Sequence, residues 1–133
     1  MALSDRVGSK FSRSLTVDEG RSISFMGPEL RVYATPAFLG DLEWICRDWL
    51  LHEIDKGEDS VGVGVELEHT RATPLGMAVT FDVTLAAVEG RRATFDIVAR
   101  DAVEEVGRAR HRRMVVEKER LKAAIEKKRA QLG

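Results

Sequence analysis

The chain predicts an α+β fold in which one long helix lies among antiparallel strands, and three stretches of sequence predict it. Tyr33–Leu51, read as YATPAFLGDLEWICRDWLL, opens on Thr35-Pro36 and carries large apolar residues at helical spacing. Four segments between Ser60 and Val116 then alternate apolar and polar residues with a period of two. From Glu117 the pattern changes to a charge-dominated helix, EKERLKAAIEKKRAQLG. A helix followed by consecutive antiparallel strands is the α+β arrangement.

Taken in order, residues 1–10 are a polar lead-in, and Phe11 to Val17 alternates as an edge strand. Ser22 to Met26 is a second short extended piece with Ile23 and Phe25 inward, closed by the Gly27-Pro28 turn. Thr35 is expected to cap the central helix, its hydroxyl accepting from an orphan backbone N–H, with Pro36 at the first helical position. Phe38, Leu42, Ile45 and Trp49 form one apolar row, and Leu39, Glu43, Cys46 and Leu50 a second that only Glu43 interrupts. The helix is expected to reach about Ile54, with Lys56-Gly57-Glu58-Asp59 as turn and stop.

In Ser60 to Thr70, Val61, Val63, Val65, Leu67 and His69 share one face, and Gly62 and Gly64 the other. Pro74-Leu75-Gly76 breaks the run before Met77 to Ala87 alternates cleanly. Glu89-Gly90 is a hairpin turn into Ala93 to Ala99. After the polar connection Asp101 to Glu105, the last strand, Val106 to Val116, lines up Gly107, Ala109, His111, Arg113 and Val115. The terminal helix has a thin apolar seam of Leu121, Ile125 and Leu132 and reads as a solvated tail.

At 133 residues the sequence is one domain's worth, taken as 1–133, with 44% hydrophobic and 32% charged residues. A net charge of −1 supplies no positive field to gather nucleic acid. Cys46 is the sole cysteine, which excludes an intramolecular disulfide and points to a reducing compartment. No apolar run approaches the roughly 18 residues of a membrane span, and MALSDRVGSKFSRS lacks a signal-peptide core. A cytoplasmic protein is the expectation. His52, His69, His111 and Cys46 make no zinc set, and no GxGxxG follows a strand, so no metal or cofactor is expected.

Three residues stand out by placement: Thr35 at the helix start, Glu43 within an apolar row, and His69 on a valine-rich strand. Singly, each has a plain structural reading as a cap, an edge carboxylate and a core histidine. His111 shares a face with Arg113 and could line a site or pack at a strand edge. Together, Thr35-x7-Glu43 and His69-Thr70-Arg71-Ala72-Thr73-Pro74 resemble the fluoroacetyl-CoA thioesterase-like family, a branch of the hotdog-fold acyl-CoA thioesterases. The likeness extends to Val32–Thr35, Leu42-Glu43-Trp44, Ser60-Val61-Gly62, Val88–Arg92 and the Gly107 to Arg113 strand, nearly the entire chain.

The resemblance implies an antiparallel sheet wrapped around the Thr35–Ile54 helix and a homodimer, possibly paired again, with sites at the subunit interface. It implies hydrolysis of an acyl-CoA thioester. Thr35 would be the nucleophile or orient it, Glu43 would polarise nucleophile or water, and His69 would be the general base and acid. The Gly62 backbone N–H would help hold the thioester oxygen, and Arg113 matches an arginine thought to contact the CoA end. Arg71, Arg91, Arg92, Arg110, Arg112 and Arg113 offer cations for CoA phosphates. Pro36 stands where the fluoroacetyl-specific pattern has glycine, and the Phe25 to Leu30 segment is short, so acyl selectivity does not transfer. The alternative is a non-catalytic module that binds acyl-CoA or another small ligand in the same pocket.

Overall fold

A computed structural model describes residues 2–133. The strand β1 (Lys10–Thr16) precedes the helix α1 (Thr35–Leu51). The strands β2 (Glu58–His69), β3 (Ala78–Glu89), β4 (Arg92–Arg100) and β5 (Glu105–Glu117) follow, and then the helix α2 (Lys118–Ala130). The five strands form one sheet in the order β1-β3-β4-β5-β2, every neighbouring pair antiparallel. The sheet packs around α1, the hotdog arrangement that the family resemblance implies. None of the described helices is long and apolar enough to cross a membrane.

The core is the inner face of that sheet against one face of α1. Phe38, Leu42, Cys46 and Leu50 are fully buried, flanked by partly buried Ala37, Leu39, Ile45 and Trp49. The buried face is therefore one i, i+4 row drawn from both predicted rows, and Glu43 sits at its edge with 43% of its side chain exposed. The sheet answers with Val79, Phe81, Val83 and Leu85 of β3, Phe95 and Ile97 of β4, and Val106 and Val115 of β5. Burial of alternate residues on each strand is what fixes register, since a one-residue slip would turn every core side chain to solvent.

Several sequence expectations change. Thr35 does not cap α1: Ala34 holds the N-cap position without a side-chain hydrogen bond, and Thr35 is the first helical residue. The helix ends at Leu51 rather than Ile54, and Glu58 and Asp59 already belong to β2. Ser22 to Met26 is not a strand: it makes a single Ser22–Tyr33 bridge between 3-10 turns at Glu19–Arg21 and Pro28–Leu30, and Phe25 is 80% exposed rather than inward.

The largest correction lies in β2. Gly62 stands opposite Arg113 and Gly64 opposite Arg112, so Val63 is an extra residue in the ladder. Such a bulge shifts the alternation by one position. Ser60 and Gly62 before it face α1 together with Val65, Leu67 and His69 after it, because each stands opposite an inward residue of β5. Val61, predicted to share the His69 face, points outward opposite Met114. The α2 helix has no buried residue, with Leu121 and Ile125 of its seam 38% and 42% exposed.

One contact sets how deep α1 lies. A Cβ at Gly107 would stand 2.5 Å from Phe38 Cε2 and 2.6 Å from the Glu68 carbonyl oxygen, so only glycine admits the phenyl ring there. Gly107→Ala should lower the free energy of unfolding by about 2 kcal/mol through overpacking. At Gly64 an added methyl meets only the movable Arg112 side chain at 3.4 Å. Gly64→Ala should change stability by less than about 0.5 kcal/mol, and urea denaturation of the two variants separates these outcomes.

Candidate active site

Three strands of chain meet where α1 begins. Tyr33 N–H donates to the Thr73 carbonyl at 2.8 Å, and Val32 bridges Pro74. Buried Thr73 donates its hydroxyl to Asp101 at 2.9 Å, and Thr70 N–H reaches the Val106 carbonyl at 2.9 Å. The segment after His69 is thus tied both to the residues before Thr35 and to the β4–β5 connection. Its effect is local and specific: Thr35 Oγ1 and His69 Nδ1 lie 2.8 Å apart. Polar side chains at a helix start choose between the local backbone and other partners; here the hydroxyl leaves the helix end and pairs with the imidazole.

The surroundings hold that imidazole neutral. Its ring stands edge-on to Phe38 at 5.1 Å and to Tyr33 at 5.9 Å between centroids. Nε2 is buried without a hydrogen-bond partner among the described residues. A charged ring needs both N–H groups satisfied, so burial pushes the His69 pKa below the ordinary histidine value. Tyr33 itself donates to Asp41 at 2.5 Å, and Arg21 reaches the same carboxylate at 3.0 Å, which locks the wall of the pocket to α1. Burial and the Asp41 bond both raise the Tyr33 phenol, so it stays protonated.

Glu43 lies elsewhere. Eight residues beyond Thr35 at 1.5 Å per residue put it about 12 Å further along the helix axis. There it meets a second cluster: Arg113 Nη1 is 3.6 Å from Glu43 Oε2, and a Cβ at Gly62 would lie 2.7 Å from the same oxygen. The carboxylate rests over Gly62, so a larger residue there would push the Glu43 side chain aside. Arg113 is 5% exposed and donates from Nε to Ser60 Oγ at 2.8 Å and from Nη2 to the Ser60 carbonyl at 2.9 Å. Its Nη1 lies 3.1 Å from His111 Nε2. These groups floor a groove of about 450 Å³ lined by Glu43, Trp44, Ser60, Val61, Arg113 and Leu121.

The five candidate residues therefore fall into two groups within one chain. Thr35 and His69 form a hydroxyl–imidazole pair, while Glu43 and Arg113 line a groove that neither of them enters, with Gly62 against the Glu43 carboxylate. Of the arginines considered for phosphates, Arg71, Arg91, Arg110 and Arg112 each pair with a carboxylate: Glu104, Glu58, Asp96 and Glu66. Ser60 and His111 complete the arginine cradle. His111 could be read from its two-residue spacing to Arg113, whereas nothing in the sequence marks Ser60.

Comparison with known proteins follows the same lines. The profile of the family described as "Fluoroacetyl-CoA-specific thioesterase" matches residues 17–119. The fluoroacetyl-CoA thioesterase of Streptantibioticus cattleyicolor is 33% identical over 130 residues, covering 92% of this chain and 94% of that protein. A solved structure of a fluoroacetyl-CoA thioesterase superposes with a TM-score of 0.83 at 33% identity, over 92% of this chain and 96% of its own. A variant of such an enzyme has been solved in complex with fluoroacetate and CoA. A hot-dog-like protein from Thermanaerovibrio acidaminovorans gives a TM-score of 0.84 at 28% identity, over 92% and 91% of the two chains.

Burial lowers the pKa of both His69 and His111, so folding favours their neutral forms. The resulting stabilisation is complete above the unfolded-state value of about 6.5 and drains away as the pH falls through the lower folded values. Melting temperature should hold steady from about pH 8 to about pH 6.5 and fall towards about pH 5. In His111→Gln that decline should be shallower in a pH series of thermal melts.

Proposed function

Because the chain belongs to the fluoroacetyl-CoA-specific thioesterase family, we propose that it is an enzyme hydrolysing an acyl-CoA thioester to a carboxylate and free CoA. The observation that carries this reading is the 2.8 Å Thr35–His69 contact, a hydroxyl within proton-transfer distance of an imidazole kept neutral. His69 takes the Thr35 proton through Nδ1 as the oxygen attacks the thioester carbonyl. The tetrahedral intermediate collapses, the carbon–sulfur bond breaks, and CoA leaves as the thiol with the proton that His69 returns. Water then cleaves the acyl–Thr35 ester, giving its proton to His69 and restoring the hydroxyl.

Glu43, Gly62 and Arg113 enter from a second copy of the chain. In one protomer Glu43 lies about 12 Å along the helix from Thr35, yet both groups border the same open edge of the sheet through β2. That edge presents exposed Val61, Val63 and Val65, a row of unpaired strand that invites pairing with another copy. A two-fold pairing brings the helix start of one protomer towards the groove of the other. There Glu43 polarises the water and the Gly62 N–H faces the carbonyl oxygen. Arg113 holds the Glu43 carboxylate in place, a role that suits a guanidinium too buried for the solvated phosphates of CoA.

Thiol release from a panel of short, branched, aromatic and long acyl-CoAs tests the reaction. His69→Ala should lose roughly 100-fold or more of the turnover. Tight binding of CoA esters without thiol release from any of them would instead establish a binding module.

Subunit mixing tests the shared site. Thr35→Ala and Glu43→Gln homodimers should both be nearly inactive. Random pairing on co-expression makes half the dimers mixed, each with one intact site of two, so about a quarter of wild-type activity should return. Recovery no greater than either parent would refute the shared site.

A further inference from the structure

We propose that His111 is a positioning residue: its Nε2 lone pair holds the Arg113 guanidinium against Glu43, and protonation of that nitrogen releases the arginine. For turnover this rests on the hydrolase reading above; for the arginine itself it does not. The geometry leaves one assignment of protons. Arginine has donors and no acceptor, so the 3.1 Å contact between Arg113 Nη1 and His111 Nε2 is an N–H bond into an unprotonated nitrogen. The ring proton is then on Nδ1, which donates to the Gly64 carbonyl at 3.0 Å. Gly64 closes the β2 bulge, so one imidazole ties the bulge to the arginine.

The ring is 2% exposed, and water cannot substitute for either partner. A Cβ at Gly62 would stand 3.2 Å from His111 Cε1, so the glycine gives the imidazole its room. The groups around it come from four elements. Arg112 and Arg113 on β5 oppose a positive ring, as does burial; Glu43 on α1 and the Gly64 carbonyl on β2 favour it. On β4 the residue opposite is Phe95, which carries no charge. Burial is the largest of these, and His111 is held neutral below the usual histidine range. A second proton would set two donors against each other and place a cation beside a buried guanidinium, leaving Nη1 only the weaker Glu43 contact at 3.6 Å and straining the two Ser60 bonds that hold Nε and Nη2.

Arginine side-chain exchange measured by 15N NMR tests this without reference to activity, the Arg113 Nε–H signal being assigned by its absence from Arg113→Lys. In His111→Leu, which fills the space but offers no lone pair, that proton should exchange about tenfold faster than in wild type. In His111→Gln, whose amide both accepts and donates, exchange should stay within about threefold. Acidification to well below the ordinary histidine pKa should accelerate wild-type exchange, relative to its intrinsic rate at each pH, and leave His111→Gln unchanged. Equal acid responses in wild type and His111→Gln overturn the proposal, and so does wild-type protection in His111→Leu. Should the leucine variant fail to fold, the wild-type and glutamine comparison decides alone.

With an acyl-CoA that wild type hydrolyses, protonation of His69 lowers kcat/KM of both proteins at acid pH, but the fall should be shallower in His111→Gln, which lacks the second titrating imidazole. If no ester is turned over, the exchange measurement still stands.

Discussion

The seating of Phe38 over Gly107 is the contact on which the rest of the architecture depends. Phe38 is fully buried and touches the rings of Phe81 on β3, Tyr33 before the helix, and His69 at the end of β2. The depth of α1 in the sheet, the position of its first turn and the tilt of the His69 imidazole are therefore set together. Close-packed interiors do not deform continuously, so a change beneath the ring would move the Thr35–His69 pair as a unit. The apolar core is thus also the support of the polar site.

The two groups of polar residues differ in kind. At the helix start the environment is apolar and leaves an imidazole uncharged, beside an exposed hydroxyl. Two turns along, the environment is a desolvated guanidinium with four neighbouring polar partners, one of them the Glu43 carboxylate. Proton transfer and charge stabilisation need opposite surroundings, and under the proposed reaction these two environments would serve one each. Cys46 beneath the second group contributes no reactive thiolate, because burial pushes its pKa up to about 12.

Much of this could be read from the sequence, and the failures have physical causes. The helix, the alternating strands and the apolar faces of β3 and β4 follow from periodicity, since burial on one side is what periodicity records. Thr35 reads as a cap because Thr-Pro before an apolar run fits that role equally well; only the long-range partner, His69, decides otherwise. The x7 spacing from Thr35 to Glu43 suggests association, yet on a helix it is a distance, and the two side chains do not meet in one protomer. Gly-Val-Gly within β2 reads as ordinary alternation, and nothing local announces a bulge there.

That bulge gives β2 two reading frames. Before Val63 the even-numbered residues look inward, and after it the odd-numbered ones do, so Gly62 and His69 share a side despite their opposite parity. A strand spliced in this way decouples its halves. Inserting or deleting one residue at the junction would invert Ser60 and Gly62 while leaving His69 untouched. The Gly62-bearing and His69-bearing portions of one continuous strand can therefore change independently, and a lineage could reshape one end of the strand without disturbing the imidazole at the other.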